Sequence, residues 1–301
     1  MPGIDVLAEQ GFAVLRGKRV GLLTHDAAVT RAGEPTWSVF FRAPEVNLVA
    51  LFAAEHGIDG RAPASAVIDD QTHGPTGLPV YSLYGRTRAP PAARLALIDV
   101  LVVDLQDIGS RSYTFVSAMR EALRAAFSNG VEVVVLDRPN PLGGRKVDGP
   151  IVERELRSYV GAFTVPYVHG LTMGELARMA VHDPDLLDLD EEVLARARLT
   201  VVPMRGWVRS MRWPDTGLVW RPTSPYIQDF AAVEGYPMTG LGCMLGGWSH
   251  GVGREHPFRG LHFPGKSALE IVKAINALGI QGLEMKRIEL TNGDGKVVYG
   301  A

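Results

Sequence analysis

Apolar residues recur in short continuous runs, and between the runs they fall at helical spacing. Residues 4–15 set Ile4, Leu7, Ala8, Phe12 and Leu15 on one side of a helix that Gly11 interrupts. Residues 19–24 read as a buried strand, and 35–42 as a short helix with Pro35 in its first turn, where a missing N–H costs nothing. Residues 46–54 are almost wholly apolar, as suits a strand buried on both faces. A Gly-, Pro- and Asp-rich loop spans 59–77, then a strand 78–83, a helix 90–96 and a strand 99–105. In the helix predicted over 114–129, Phe115, Ala118, Met119, Ala122, Leu123 and Ala126 share a face, and Asn129-Gly130 stops it. Residues 131–136 are the next strand.

Beyond Gly144 the rhythm changes. A helix over 171–182 has Thr172 and Glu175 at capping-box spacing. A helix follows over 191–198 and a strand over 199–202. The next stretch, rich in Gly and Pro and holding Trp207, Trp213, Trp220 and Trp248, reads as irregular. An amphipathic helix covers 266–278, and 284–290 with 296–299 read as a hairpin across 292–295. The expected architecture is an α/β domain over 1–145, a mostly parallel sheet flanked by helices, and a smaller α+β domain over 146–301.

Strands joined by right-handed crossovers end on one edge of their sheet. Thr24, Glu55, His56, Asp104, Gln106, Asp107, Arg111, Asp137, Arg138 and Asn140 all follow or end strands, so they are expected to converge on one crevice.

Composition narrows the chemistry. With 31 Lys and Arg against 33 Asp and Glu, the net charge of −2 offers no basic field for nucleic acid. No apolar run reaches the roughly 20 residues of a membrane span. The first residues resemble no signal peptide, so a cytoplasmic address is expected for the chain as given, and a periplasmic or secreted one if a leader was trimmed. One cysteine, Cys243, excludes an intrachain disulfide. Dinucleotide, P-loop, nucleophile-elbow and zincin motifs are all missing, so no cofactor is expected. His56, Asp104, Asp107 and Asp137 are types that can hold a metal, but their spacing does not demand one, and none is assigned.

Carboxylates, amides, an arginine and aromatics in one crevice suit a sugar: an acid–base pair for the glycosidic bond, planar polar groups for hydroxyls, aromatic faces for the ring. Glu55 is the leading acid–base candidate. Asp104 and Asp107 can equally cap the turns that follow their strand, with Arg111 paired to one of them. Glu175 serves either the capping box or the site. His169 reads as a structural histidine, and the tryptophans as core, with Trp220 the candidate exception.

These segments together resemble a known family. Glu55-His56-Gly57 within 51–57, Gly77-Leu78-Pro79-Val80-Tyr81 within 76–85, Asp104-Leu105-Gln106-Asp107 within 104–114, Asp137-Arg138-Pro139-Asn140-Pro141 within 136–141, and His169-Gly170-Leu171-Thr172 within 169–177 are similar to motifs of the DUF1343 family. These are the exo-β-N-acetylmuramidases of glycoside hydrolase family 171. The resemblance runs from Gly3 to about Gly260. It implies a Rossmann-like N-terminal domain, a smaller C-terminal domain and an active cleft. It also implies release of terminal β-linked N-acetylmuramic acid from peptidoglycan fragments without a cofactor. Glu55 is then the catalytic carboxyl, with Glu175, Asp107 or Asp137 as its partner. His56, Asp104, Gln106, Arg111, Tyr113, Asp137, Arg138, Asn140 and His169 would bind the N-acetylmuramic-acid-containing saccharide.

The chain departs from the family pattern twice. Thr24-His25-Asp26-Ala27 stands for Thr-Asn-x-Thr, and Ser249-His250-Gly251-Val252-Gly253-Arg254 for Ser-Glu-Gly-Arg-Gly-Thr. The second change would also fit a saccharide-binding protein without turnover, and bound metal would point to a metal-dependent hydrolase.

Overall fold

The computed structural model describes residues 1–244, 246–252, 255–291 and 297–300. By its internal contacts the chain divides into two compact units, Met1–Pro225 and Tyr226–Ala301.

The first unit is built on a seven-stranded sheet: β1 Arg19–Thr24, β2 Asn47–Ala53, β3 Gln71–Thr72, β4 Pro79–Ser82, β5 Val100–Asp104, β6 Glu132–Leu136 and β7 Leu199–Val202, in the spatial order β3-β4-β2-β1-β5-β6-β7. All neighbours run parallel except the short edge pair β3–β4. The chain winds outward from β1 through β2 to β4, then returns to β5 and winds the other way. That doubly wound order puts the topological switch point between β1 and β5, where such sheets bind ligands beyond their carboxyl ends. β5 is buried along its whole length and β1 from Val20 onward, because helices cover both faces.

The helices of this unit are α1 Gly3–Glu9, α2 Thr36–Arg42, α3 Ala92–Leu95, α4 Thr114–Ser128, α5 Met173–His182, α6 Pro184–Leu187 and α7 Glu191–Arg196. α4 buries the face that its spacing predicts, adding Val116 and Phe127. One core joins α1 (Ile4, Leu7), α2 (Phe40) and the strands (Leu22, Leu51, Val102, Val134, Leu136).

Three sequence expectations are corrected. The helix over 4–15 breaks after Glu9, because Gly11 and Phe12 both turn left-handed, at φ 57° and 53°, before a short 3-10 turn. β7, expected in the second domain, pairs with β6, so the sheet closes only near residue 202 and the unit boundary lies at Pro225 rather than near 145. The stretch read as irregular contains α8 Phe230–Met244, a helix with Pro237 inside it and no polar stripe to announce it.

The second unit holds α8, α9 Ala268–Asn276 and the hairpin of β8 Ile288–Thr291 with β9 Val297–Gly300, whose connection lies outside the described residues. Ala268 and Ile271 of α9 pack with Trp248, Leu261 and Phe263.

Candidate active site

The sheet's carboxyl edge carries two stations of polar side chains. At the first, β2 ends at Ala53, and Glu55 follows with only 7 % of its surface exposed. The chain then reverses through His56 and Gly57, both left-handed at φ 72° and 77°. Histidine tolerates that region better than β-branched or bulky residues do. His56 donates from Nδ1 to the Ala62 carbonyl at 2.8 Å, which pins the loop back on itself. Glu55 is held from several sides. Its Oε1 accepts the Ser65 backbone N–H at 2.8 Å, and its Oε2 accepts the Thr114 hydroxyl at 2.5 Å. The Tyr84 hydroxyl also bonds to Glu55, and burial with that neighbouring charge raises the phenol above its usual pKa. The Arg88 guanidinium lies 3.4 Å over the Tyr84 ring and 5.0 Å over Tyr159. Among the described residues the buried Tyr159 hydroxyl has no hydrogen-bond partner.

The second station is at the switch point. The Gln106 backbone N–H donates to Nε2 of His25 at 3.0 Å, so the neutral imidazole carries its proton on Nδ1. Burial first, then Arg138 and His56, lowers His25 to about 3. Asp107 accepts the Gly109 N–H on Oδ2 at 2.7 Å, while its buried Oδ1 has no donor among the described residues. Burial pushes Asp107 up to about 7, against hydrogen bonds from the Gly109 and Ile108 backbone. His169 accepts the Leu171 N–H on Nδ1 and turns Nε2 toward Asp107 Oδ2 at 3.8 Å, too long for a hydrogen bond. Burial lowers His169 to about 4, so this is a neutral imidazole beside a carboxyl that titrates near neutrality rather than an ion pair.

Other expected site residues are committed to the scaffold. Asp104, fully buried, pairs with Arg138 through Nε to Oδ1 and Nη2 to Oδ2, and Thr36 donates to the same carboxylate. Arg138 also donates to the Val29 carbonyl at 2.9 Å. Asp104 therefore positions Arg138 and has no oxygen left for a sugar. Asp137 accepts the Arg138 and Gly174 N–H groups on Oδ1 and the Thr172 hydroxyl on Oδ2, which ties β6 to the start of α5. Asn140 bonds the Leu171 carbonyl and the Leu142 N–H. Gly109, at φ 83°, lies so close that a Cβ there would stand 2.3 Å from Asn140 Oδ1.

Glu175, expected either in the site or in a cap, is in the cap. Its Oε2 accepts the Thr172 N–H, Thr172 Oγ1 accepts the Glu175 N–H, and Oε1 pairs with Arg209. Among the described residues Arg111 does not pair with an aspartate. Its Nη1 donates to the Pro150 and Val165 carbonyls at 2.7 and 2.6 Å. The Tyr113 hydroxyl donates to Thr223 at 2.8 Å. Gln106 spends its amide NH2 on the Asp107 and Pro139 carbonyls.

Sequence reasoning missed Ser65, Tyr84, Arg88, Thr114 and Tyr159. Thr114 and Tyr84 lie inside the motifs at 104–114 and 76–85, where local spacing marks only a helix start and a strand end. Among the described residues no three His, Cys, Asp or Glu side chains gather as a metal site would need. In the second unit, Ser249 bridges to His262 and His250 stands edge-on to Phe258 at 4.9 Å. Gly253 and Arg254 lie outside the described residues.

Comparisons with known proteins place the chain among relatives by sequence and by fold. The family model for the N-terminal part of the exo-beta-N-acetylmuramidase NamZ matches residues 20–231. The peptidoglycan beta-N-acetylmuramidase NamZ of Bacillus subtilis (strain 168) is 37 % identical over 291 residues, which are 96 % of this chain and 67 % of that protein. A crystal structure of a DUF1343 family protein from Bacteroides fragilis NCTC 9343 superposes with a TM-score of 0.87 at 41 % identity, covering 99 % of this chain and 75 % of that one. A second DUF1343 protein of the same organism gives 0.71 at 26 %, covering 100 % and 75 %. Matched over most of its length by sequence and by fold, this chain belongs to the NamZ (DUF1343) family of exo-β-N-acetylmuramidases.

Proposed function

We propose that the chain is an exo-acting β-N-acetylmuramidase, a glycosidase that removes terminal N-acetylmuramic acid from peptidoglycan fragments. The observation that carries this reading is Glu55: a buried carboxyl beyond a central strand, oriented by Ser65, Thr114 and Tyr84, in a chain of this family.

Glycoside hydrolysis needs one carboxyl to protonate the leaving oxygen and a second to attack or to activate water. Glu55, with both oxygens held by donors, is one member of that pair. Asp107, which holds its proton up to about pH 7 and keeps one oxygen without a donor, is the acid. His56 pins the loop that carries Glu55, while Asp104 with Arg138, Asp137 and Asn140 hold the strand ends in place.

Incubation with the disaccharide N-acetylmuramyl-β-N-acetylglucosamine tests the reading. Equimolar free N-acetylmuramic acid and N-acetylglucosamine are expected, together with stepwise release from non-reducing ends of longer chains. Internal cleavage of long chains, or no release by folded protein, would overturn it.

A further inference from the structure

On the carboxyl edge of the sheet, beside the switch point, lies a crevice of about 180 Å3 that the glycosidase chemistry does not use. It is walled by the loop after β1 (Val29, Thr30, Arg31, Gly33), by Gln106 and Arg138 after β5 and β6, and by Trp213, Val219 and Arg221. Among the described residues three arginines line it and no carboxylate does. Arg138 is neutralised by Asp104, so its charge is spent. Arg31 and Arg221 are exposed, and among the described residues neither pairs its side chain with a carboxylate. Arg221 donates to the Gly33 carbonyl at 3.1 Å, which fixes its guanidinium at the mouth of the crevice. The backbone N–H of Arg31 rests on Asp5, leaving its side chain free. Trp213, steadied edge-on by Trp220 at 4.9 Å, supplies a flat apolar wall.

Guanidinium groups without a carboxylate partner beside an aromatic wall recognise a planar anion attached to an apolar body. We infer that this crevice is a carboxylate subsite, in which Arg31 and Arg221 bind the acidic group of the saccharide and Trp213 supports its apolar part. The identity of the ligand rests on the muramidase reading, whereas the charge and shape of the crevice do not. The carboxylate has two sources in such fragments: the lactyl ether of the sugar itself, or a peptide attached to it, which converts the lactyl acid to an amide and brings acids of its own.

Calorimetric binding needs no turnover and separates these questions. The probes are N-acetylmuramic acid, its methyl ester, muramyl dipeptide and N-acetylglucosamine, titrated into wild type and into an Arg31→Met/Arg221→Met double variant. Because both arginines are on the surface, the variant should melt within a few degrees of wild type. The expected result is a 10- to 100-fold loss of affinity in the variant for an acidic probe, with the neutral ester and N-acetylglucosamine unaffected. Loss on N-acetylmuramic acid assigns the lactyl acid, and loss on muramyl dipeptide alone assigns the peptide. Equal affinities of wild type and variant for every probe, or no preference of wild type for either acidic probe over the neutral ester, would overturn the subsite. Wild type that binds the acid but releases no product would overturn the hydrolase reading and leave the subsite standing. In turnover the arginines act on binding, so KM should rise with kcat within about threefold of wild type.

Discussion

Thr114, the first residue of α4, donates its hydroxyl to Glu55 Oε2 across 59 positions of sequence. The crossover after β5 thereby sets the orientation of the carboxyl beyond β2. Thr114→Val keeps the shape and removes the donor. A hydrogen bond to a charged group contributes about 1.5–3 kcal/mol, so kcat should fall roughly 10- to 100-fold. Steady-state kinetics with a thermal melt check this; unchanged kcat would detach Thr114 from the chemistry.

Asp104 and Arg138 behave in the opposite way. Their pairing is buried on both sides, so Arg138→Met should strand a carboxylate and cost about 3–5 kcal/mol, read by urea denaturation. Asp104→Leu combined with Arg138→Met should recover much of that loss. A double variant no more stable than the single one would contradict the pairing as the cause.

Glu175 tests the cap against the active site. Glu175→Ala removes one half of the capping box and the Arg209 pairing, so stability should drop by about 0.5–2 kcal/mol while kcat stays within about twofold of wild type. A collapse of kcat in well-folded variant would return Glu175 to the chemistry.

Much of this was readable in the sequence, and the failures share a cause. Strand ends, the capping box and the α4 face depend on neighbours within a few positions, which periodicity exposes. The pairing of Asp104 with Arg138, 34 residues apart, depends on two strands lying side by side, and nothing local distinguishes it from two free site residues. Likewise β7 carries too few residues to announce which sheet it joins, and α8 is interrupted by Gly and Pro and gathers no polar stripe of the kind that marks an amphipathic helix. Thr114 was legible as a helix start but not as a donor to Glu55.

Acid should weaken the fold through its histidines. His25 and His169, lowered to about 3 and about 4, stay neutral in the fold where the unfolded chain takes up protons below 6.5, so their share of stability is lost as pH falls through that window. Asp107 works the other way: raised to about 7, it holds a proton that the unfolded chain releases above 3.8, and its share is lost as pH rises. The lowered histidines (His25, His169, His73 and His250) outnumber the raised carboxyls (Asp107 and Asp137), so between roughly pH 4 and 6.5 stability should rise with pH. His169→Gln should flatten that slope in urea titrations. An unaltered slope would show that His169 is not held neutral.

The most direct test is kcat for the disaccharide by wild type, Glu55→Gln and Glu55→Asp, each verified as folded, with and without chelator. Glutamine keeps the size of the side chain and an acceptor for Thr114 but cannot exchange a proton or attack. Activity in wild type that survives chelator, with a fall of at least 1000-fold in Glu55→Gln and partial retention in Glu55→Asp, is the expected result. Turnover by Glu55→Gln within tenfold of wild type would contradict the assignment of Glu55 and move the reaction to another carboxyl on the same edge of the sheet.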